Sequence, residues 1–144
     1  MLVYVATYAF YNLEKIQKVV LFAGRSAGAD TWTYDGVRWT DVTSPGPSER
    51  DHVGMTYDRA RGKVILFGGG AVVQGKLIEL DDTWEWDAGW NQLSTNHVSV
   101  RSAKPNMVFD SSRGTVLIFG GGNRGKLIGD LWELKGRSWH PAAN

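Results

Sequence analysis

Three phrases recur along this chain, in one order and at one pace. The clearest is Asp30-Thr31-Trp32-Thr33-Tyr34-Asp35-Gly36-Val37-Arg38-Trp39. It returns as Asp82-Thr83-Trp84-Glu85-Trp86-Asp87-Ala88-Gly89-Trp90 and again as Asp130-Leu131-Trp132-Glu133-Leu134-Lys135-Gly136-Arg137-Ser138-Trp139, with the closing tryptophans 51 and 49 residues apart. A second phrase, Lys18-Val19-Val20-Leu21-Phe22-Ala23-Gly24, matches Lys63-Val64-Ile65-Leu66-Phe67-Gly68-Gly69 and Thr115-Val116-Leu117-Ile118-Phe119-Gly120-Gly121. A third, Met55-Thr56-Tyr57-Asp58-Arg59-Ala60-Arg61-Gly62, matches Met107-Val108-Phe109-Asp110-Ser111-Ser112-Arg113-Gly114, and its first copy, near residues 9–17, is degraded. A repeat near 50 residues is one supersecondary unit that buries its apolar face only against its neighbours. The unit also explains a composition of 18 glycines and seven tryptophans in 144 residues.

Each unit reads as four strands, A to D. In the second unit strand A covers residues 53–57 and strand B residues 63–68. The Asp-x-x-Arg-Gly link between them is a hairpin loop in which glycine supplies a positive φ. Strand B is a continuous apolar run, which requires burial on both faces. Strand C, residues 83–86, alternates Trp84 and Trp86 on one face with Thr83 and Glu85 on the other. Asp35-Gly36 is a type I′ turn signal before a short strand D, which opens on the last tryptophan. No stretch holds a 3.6-residue apolar period over three turns.

Four antiparallel strands per unit of about 50 residues is the pattern of a β-propeller blade. The strand B phrase ending in Gly-Gly, the aromatic strand C and the tryptophan opening strand D resemble the kelch repeat, in its bacterial wording, over residues 10–140. Ala23 in place of a glycine and Lys135 in place of the turn aspartate are the local departures. The resemblance implies an all-β fold: a partial kelch-type β-propeller of three four-stranded antiparallel blades, at about 3–43, 52–94 and 103–140, in one unit over 1–144. Closed propellers hold about 4 to 8 blades. An arc of three either belongs to a longer propeller, which the abrupt end at residues 141–144 favours, or pairs with a second copy by two-fold symmetry as a homodimer of six blades.

Several functions are excluded by composition. With no cysteine there is neither a disulfide framework nor a thiolate metal site. A net charge of +1 gives no bulk attraction for nucleic acid or an anionic membrane, so neither is expected as a partner. The apolar residues 1–11 are fewer than the ~20 of a spanning helix and lack the basic start of a signal peptide. They read as a strand, and the compartment stays open. His52, His97 and His140 show no metal-ligand spacing and have no nucleophile beside them, so no metal, no cofactor and no catalytic residue is expected. The galactose oxidase family carries kelch-like blades, but its copper site needs a tyrosine linked to a cysteine that is absent here. Sialic-acid mutarotases also use kelch propellers, and no local motif carries over.

Most repeated residues read as architecture. Gly68, Gly69, Gly120 and Gly121 end strand B where the backbone turns. Trp84, Trp90, Trp132 and Trp139 pack between blades. Asp82 and Asp130 accept turn hydrogen bonds before strand C.

The variation is in the loops. From the strand B phenylalanine to the strand C aspartate the spacing is 8, 15 and 11 residues, whereas the two clear A–B turns both span 4. Variable B–C loops, which emerge beside the D–A connections, are where a rigid scaffold places recognition. Both sides carry the same charge excess, so length rather than charge selects this one. Its candidates are Arg25, Arg50, His52, Gln74, Lys76, Arg101, Asn123, Arg124 and Lys126. Arg50 and Arg101 each follow the preceding tryptophan by 11 residues and are expected at the mouth, on a polar or anionic ligand. Leu77, Ile78, Leu127 and Ile128 either form an exposed apolar patch or extend strand C. The function expected is a non-catalytic scaffold that binds a protein or peptide through the B–C and D–A loops. The alternative is a carbohydrate-binding or carbohydrate-active domain, oxidase- or mutarotase-like, acting with further blades.

Overall fold

Every regular element in the computed structural model is a β-strand, and the structure describes residues 7–13, 16–22, 28–93, 95, 98 and 105–142. Strands β1 (Thr7–Leu13), β2 (Ile16–Phe22), β3 (Thr31–Tyr34) and β4 (Trp39–Asp41) form a first antiparallel sheet in chain order. Strands β5 (Gly54–Asp58), β6 (Lys63–Val73), β7 (Lys76–Trp86) and β8 (Trp90–Leu93) form a second. The third repeats the order with β9 (Asn106–Asp110), β10 (Thr115–Phe119), β13 (Leu131–Lys135) and β14 (Ser138–Pro141). Between β10 and β13 lies a two-stranded sheet of β11 (Gly122–Asn123) and β12 (Lys126–Leu127). Among the described residues no helix is long and apolar enough to cross a membrane.

The sheets stack face to face through β6. Its side chains alternate between faces, and both faces are covered. Val64 and Leu66 enter a core with Val20 and Phe22 of the first sheet. Ile65 and Phe67 enter a second core with Val116, Ile118, Leu134 and Trp139 of the third. All four are essentially inaccessible, as the unbroken apolar run of strand B requires. The first strands gather together, β1 against β5 and β5 against β9. Gly54 on β5 makes that approach possible, because a Cβ there would meet the Met107 side chain of β9 at 2.5 Å.

The joints between sheets are built alike. The Trp90 indole donates to Thr31 Oγ1 at 2.8 Å and sits edge-on to Phe22, with ring centroids 5.2 Å apart. The Trp139 indole donates to Thr83 Oγ1 at 2.9 Å and sits edge-on to Phe67 at 5.7 Å. Phe22 is the register partner of Thr31, and Phe67 of Thr83, so ring and hydroxyl present one composite socket to the incoming indole. Edge-to-face rings satisfy the aromatic quadrupole, and the hydroxyl satisfies an N–H that burial would otherwise leave unpaired. Trp90 and Trp139 thus pack between sheets as expected. Trp84 and Trp132 pack against the same two cores while half-buried, and each turns its N–H back to an aspartate two residues earlier, Asp82 at 2.7 Å and Asp130 at 2.8 Å.

The turns hold one expectation and correct another. In both A–B links the aspartate caps the loop. Asp58 accepts from the amides of Ala60 and Arg61, Asp110 from those of Ser112 and Arg113, and Gly62 and Gly114 take positive φ. Asp35-Gly36 makes no type I′ turn. Only Gly36 has positive φ, and Asp35 Oδ1 instead accepts from the amides of Val37 and Arg38 across a four-residue loop. The type I′ geometry, which needs two positive φ values, falls at Gln74-Gly75 and Arg124-Gly125.

Two predictions follow from this packing. Ile65→Ala and Leu66→Ala empty opposite cores, and each is expected to cost about 2–5 kcal/mol in urea denaturation. The carboxyl of Asp110 is held below the ordinary 3.8 by the Ser112 hydroxyl and then by the loop amides and Arg113. Asp35 is lowered by the amides of Arg38 and Val37, and Asp41 by the Thr43 hydroxyl and amide. On acidification the unfolded chain takes up these protons first, so their stabilisation is complete above pH 3.8 and fades as pH falls through the lower folded values. Thermal midpoints measured down that range are expected to drop, and less steeply for Asp110→Asn.

Candidate functional site

The B–C connections of the second and third sheets are not open loops. In the second sheet β6 runs to Val73 and β7 starts at Lys76, so the strands extend as a hairpin beyond the sheet. The expected ends at Gly68 and Trp86's strand start at Thr83 are corrected accordingly. Gly68 and Gly69, with φ of 65° and 97°, make a bulge between Phe67 and Gly69, after which pairing resumes from Gly69↔Leu80 to Val73↔Lys76. The pair therefore bends strand B rather than ending it. Gly120 and Gly121, with φ of 68° and 100°, repeat the bend, and the shorter β11–β12 hairpin follows. At Gly69 a Cβ would lie 2.6 Å from the carbonyl oxygen of Asp51, so the site excludes side chains on contact as well as on φ.

Arg50 anchors the base of the long hairpin. It is 3% exposed rather than lining an open mouth. Its guanidinium forms a two-pronged pair with the Asp82 carboxylate, Nη1 to Oδ1 and Nη2 to Oδ2, the latter at 3.0 Å. It also donates to the carbonyl of Gly68 at 3.2 Å and to that of Ser48 at 3.0 Å. Asp82 therefore accepts an arginine and the Trp84 indole, not the turn amides expected of it. Beside this clamp Asp51 and Gly70 exchange both backbone hydrogen bonds at 2.9 Å, fastening the connection from the first sheet to the hairpin. His52, at φ 57°, places Nδ1 2.9 Å from Asp51 Oδ1 on the surface. Arg25, His97 and Arg101 lie outside the described residues.

The two hairpins face each other across a cleft of about 840 Å³, lined by Leu77, Ile78 and Glu79 on one side and by Asn123, Arg124 and residues 126–128 on the other. Leu77 is 61% exposed and Leu127 is 95% exposed. Both readings hold at Leu77 and Ile78, which extend β7 and remain exposed, whereas Leu127 belongs to β12 and Ile128 to no strand, so neither extends β13. Arg124 bridges the hairpins, its amide donating to Glu79 Oε1 at 2.8 Å while its largely exposed guanidinium lies 3.8 Å from Oε2 of the same carboxylate. Gln74, Lys76 and Lys126 stand exposed on the two hairpins, Lys76 and Lys126 flanking their tips, and Asn123 is half-buried. The candidates brought together in the cleft are thus Asn123, Arg124 and Lys126. Arg50 lines a second recess of about 410 Å³ instead, with the exposed Val72 and Val73, and His52 lines neither. Glu79 of the cleft and the two valines were not singled out as site residues by sequence. Among the described residues no three His, Asp or Glu side chains are grouped to hold a metal ion.

No protein-family model and no curated protein matches the chain. A solved structure does. The structure of YjhT is similar over 97% of this chain and 50% of its own, with a TM-score of 0.75 and 15% identity. The present chain spans about half the length of the YjhT chain. The likeness concerns fold alone: the all-β arrangement of stacked antiparallel sheets recurs there.

Arg50→Ala leaves the Asp82 carboxylate without its cation and is expected to cost about 3 kcal/mol. Lys126→Ala, on the cleft rim, should change stability by less than about 0.5 kcal/mol. Equilibrium denaturation of the two variants beside the parent chain checks both.

Proposed function

We propose that the three sheets are blades of a kelch-type propeller and that the chain is a non-catalytic scaffold for a protein or peptide partner. Gathering of the first strands β1, β5 and β9 supports the radial arrangement. So do the repeated tryptophan joints. The binding reading rests on one observation: Leu77 and Leu127 stand uncovered across a cleft whose lining also carries Arg124 and Lys126. An apolar floor with cationic edges favours an extended peptide that carries apolar residues next to acidic ones. Apolar surface supplies the affinity, and the edge charges set orientation and rate. The long hairpin, clamped at its base by Arg50 and Asp82, presents its side of that surface on a fixed support.

A phage-displayed peptide library panned on the whole chain tests the reading. Enrichment of apolar–acidic sequences is expected. Leu127→Asp should weaken an enriched peptide at least about tenfold, the equivalent of losing roughly one buried leucine. Capture of sugars on a glycan array, with no peptide enriched, would overturn the reading in favour of a carbohydrate-binding role.

A further inference from the structure

The joint that holds the sheets together is used twice inside the chain, and its two halves stand bare at opposite ends of the stack. On the outer face of the first sheet, Trp39 occupies the place of Trp90 and Trp139. It pairs with Tyr34 in register and stacks on that ring at 5.0 Å, yet remains 48% exposed. On the outer face of the third sheet, Phe119 occupies the place of Phe22 and Phe67. It is 52% exposed, beside Val108 at 57%. Within the chain the equivalents of both sides are buried against each other.

A polar contact follows the same rule. Arg61 of the second sheet donates through Nη1 to the carbonyl of Gly136 in the β13–β14 turn of the third, at 2.7 Å. Its repeat equivalent, Arg113, pairs with Asp110 at 3.2 Å and has a largely exposed side chain. The equivalent of Gly136 is Gly36, in the turn beside Trp39. One exposed face therefore offers Phe119 and Arg113, and the other offers Trp39 and the Gly36 carbonyl, which accepts from the Tyr34 hydroxyl at 2.9 Å and keeps its second lone pair.

We infer that a second copy of this chain occupies these faces, each copy seating its Trp39 on the Phe119 of the other and each Arg113 reaching the other's Gly36 carbonyl. Two head-to-tail joints related by a two-fold axis close the stack and leave no bare end. The new joint differs from the internal ones at one point. Leu131 stands where Thr31 and Thr83 accept the indole N–H, so the joint is weaker and the dimer dissociates on dilution. This inference uses the outer faces and is independent of the cleft between the hairpins.

Light scattering after size exclusion tests it on the full 144-residue chain. The expected mass is twice 15.9 kDa at micromolar concentration, falling towards 15.9 kDa on dilution. Trp39→Asp and Phe119→Asp, each checked for a folded circular dichroism spectrum, should run as monomers, and Arg113→Ala should dissociate at higher concentration than the parent. Leu127→Asp, which impairs the peptide cleft, should leave the dimer intact. A parent chain that stays monomeric or forms open-ended polymers would overturn the inference. So would a dimer that folded Trp39→Asp and Phe119→Asp leave unchanged.

Discussion

A tryptophan seated in the neighbouring sheet is the contact on which the rest of this structure depends. Each four-stranded sheet is short, and alone it would leave its apolar faces in water. Trp90 against Phe22 and Thr31, and Trp139 against Phe67 and Thr83, remove those faces from solvent and fix the relative setting of the sheets. The fit is directional. An indole edge-on to a phenylalanine while its N–H reaches a hydroxyl has few alternative placements, so the joint specifies alignment as well as burial. The register pairs Phe22↔Thr31 and Phe67↔Thr83 supply both halves of each socket from adjacent strands.

Stacking in turn frees the B–C connections for another use. With β6 buried on both faces, its continuation past the Gly68-Gly69 bend leaves the core and enters solvent as a hairpin. Such a projection would be mobile without a fixed base. Arg50 holds that base by joining the bulge carbonyl, the Asp82 carboxylate and the incoming connection in one buried network. Arg50 therefore acts as a brace, and the exposed Leu77 beyond it faces Leu127 across the cleft between the hairpins.

The stacking layer was largely legible in the sequence. Unbroken runs such as 64–67 require two buried faces, and the spacing of Trp39, Trp90 and Trp139 locates the repeat. The hairpins were legible only in part. Gly68-Gly69 reads as a strand end because glycine is a breaker, but a left-handed pair also makes a bulge, after which Val72, Val73, Leu77 and Ile78 resume a ladder. The turn pairs Gln74-Gly75 and Arg124-Gly125 carried only half of the missing signal, since glycine supplies one positive φ of the tight turn but glutamine and arginine are not the asparagine or aspartate that favours the other. Arg50 was misplaced for a different reason. Equal spacing from a tryptophan locates a backbone position but not which way its side chain turns, and its partner Asp82 lies 32 residues away.

The most direct test of the stacking account is hydrogen exchange at the indole N–H groups, followed by NMR on the intact chain. The hydrogens of Trp90 and Trp139 are bonded and buried between sheets, so they should exchange only when the stack opens, at the rate of the slowest core amides such as those of β6. If either exchanged as fast as an exposed indole while the β6 amides stayed protected, the tryptophan joint would not be what holds the sheets together.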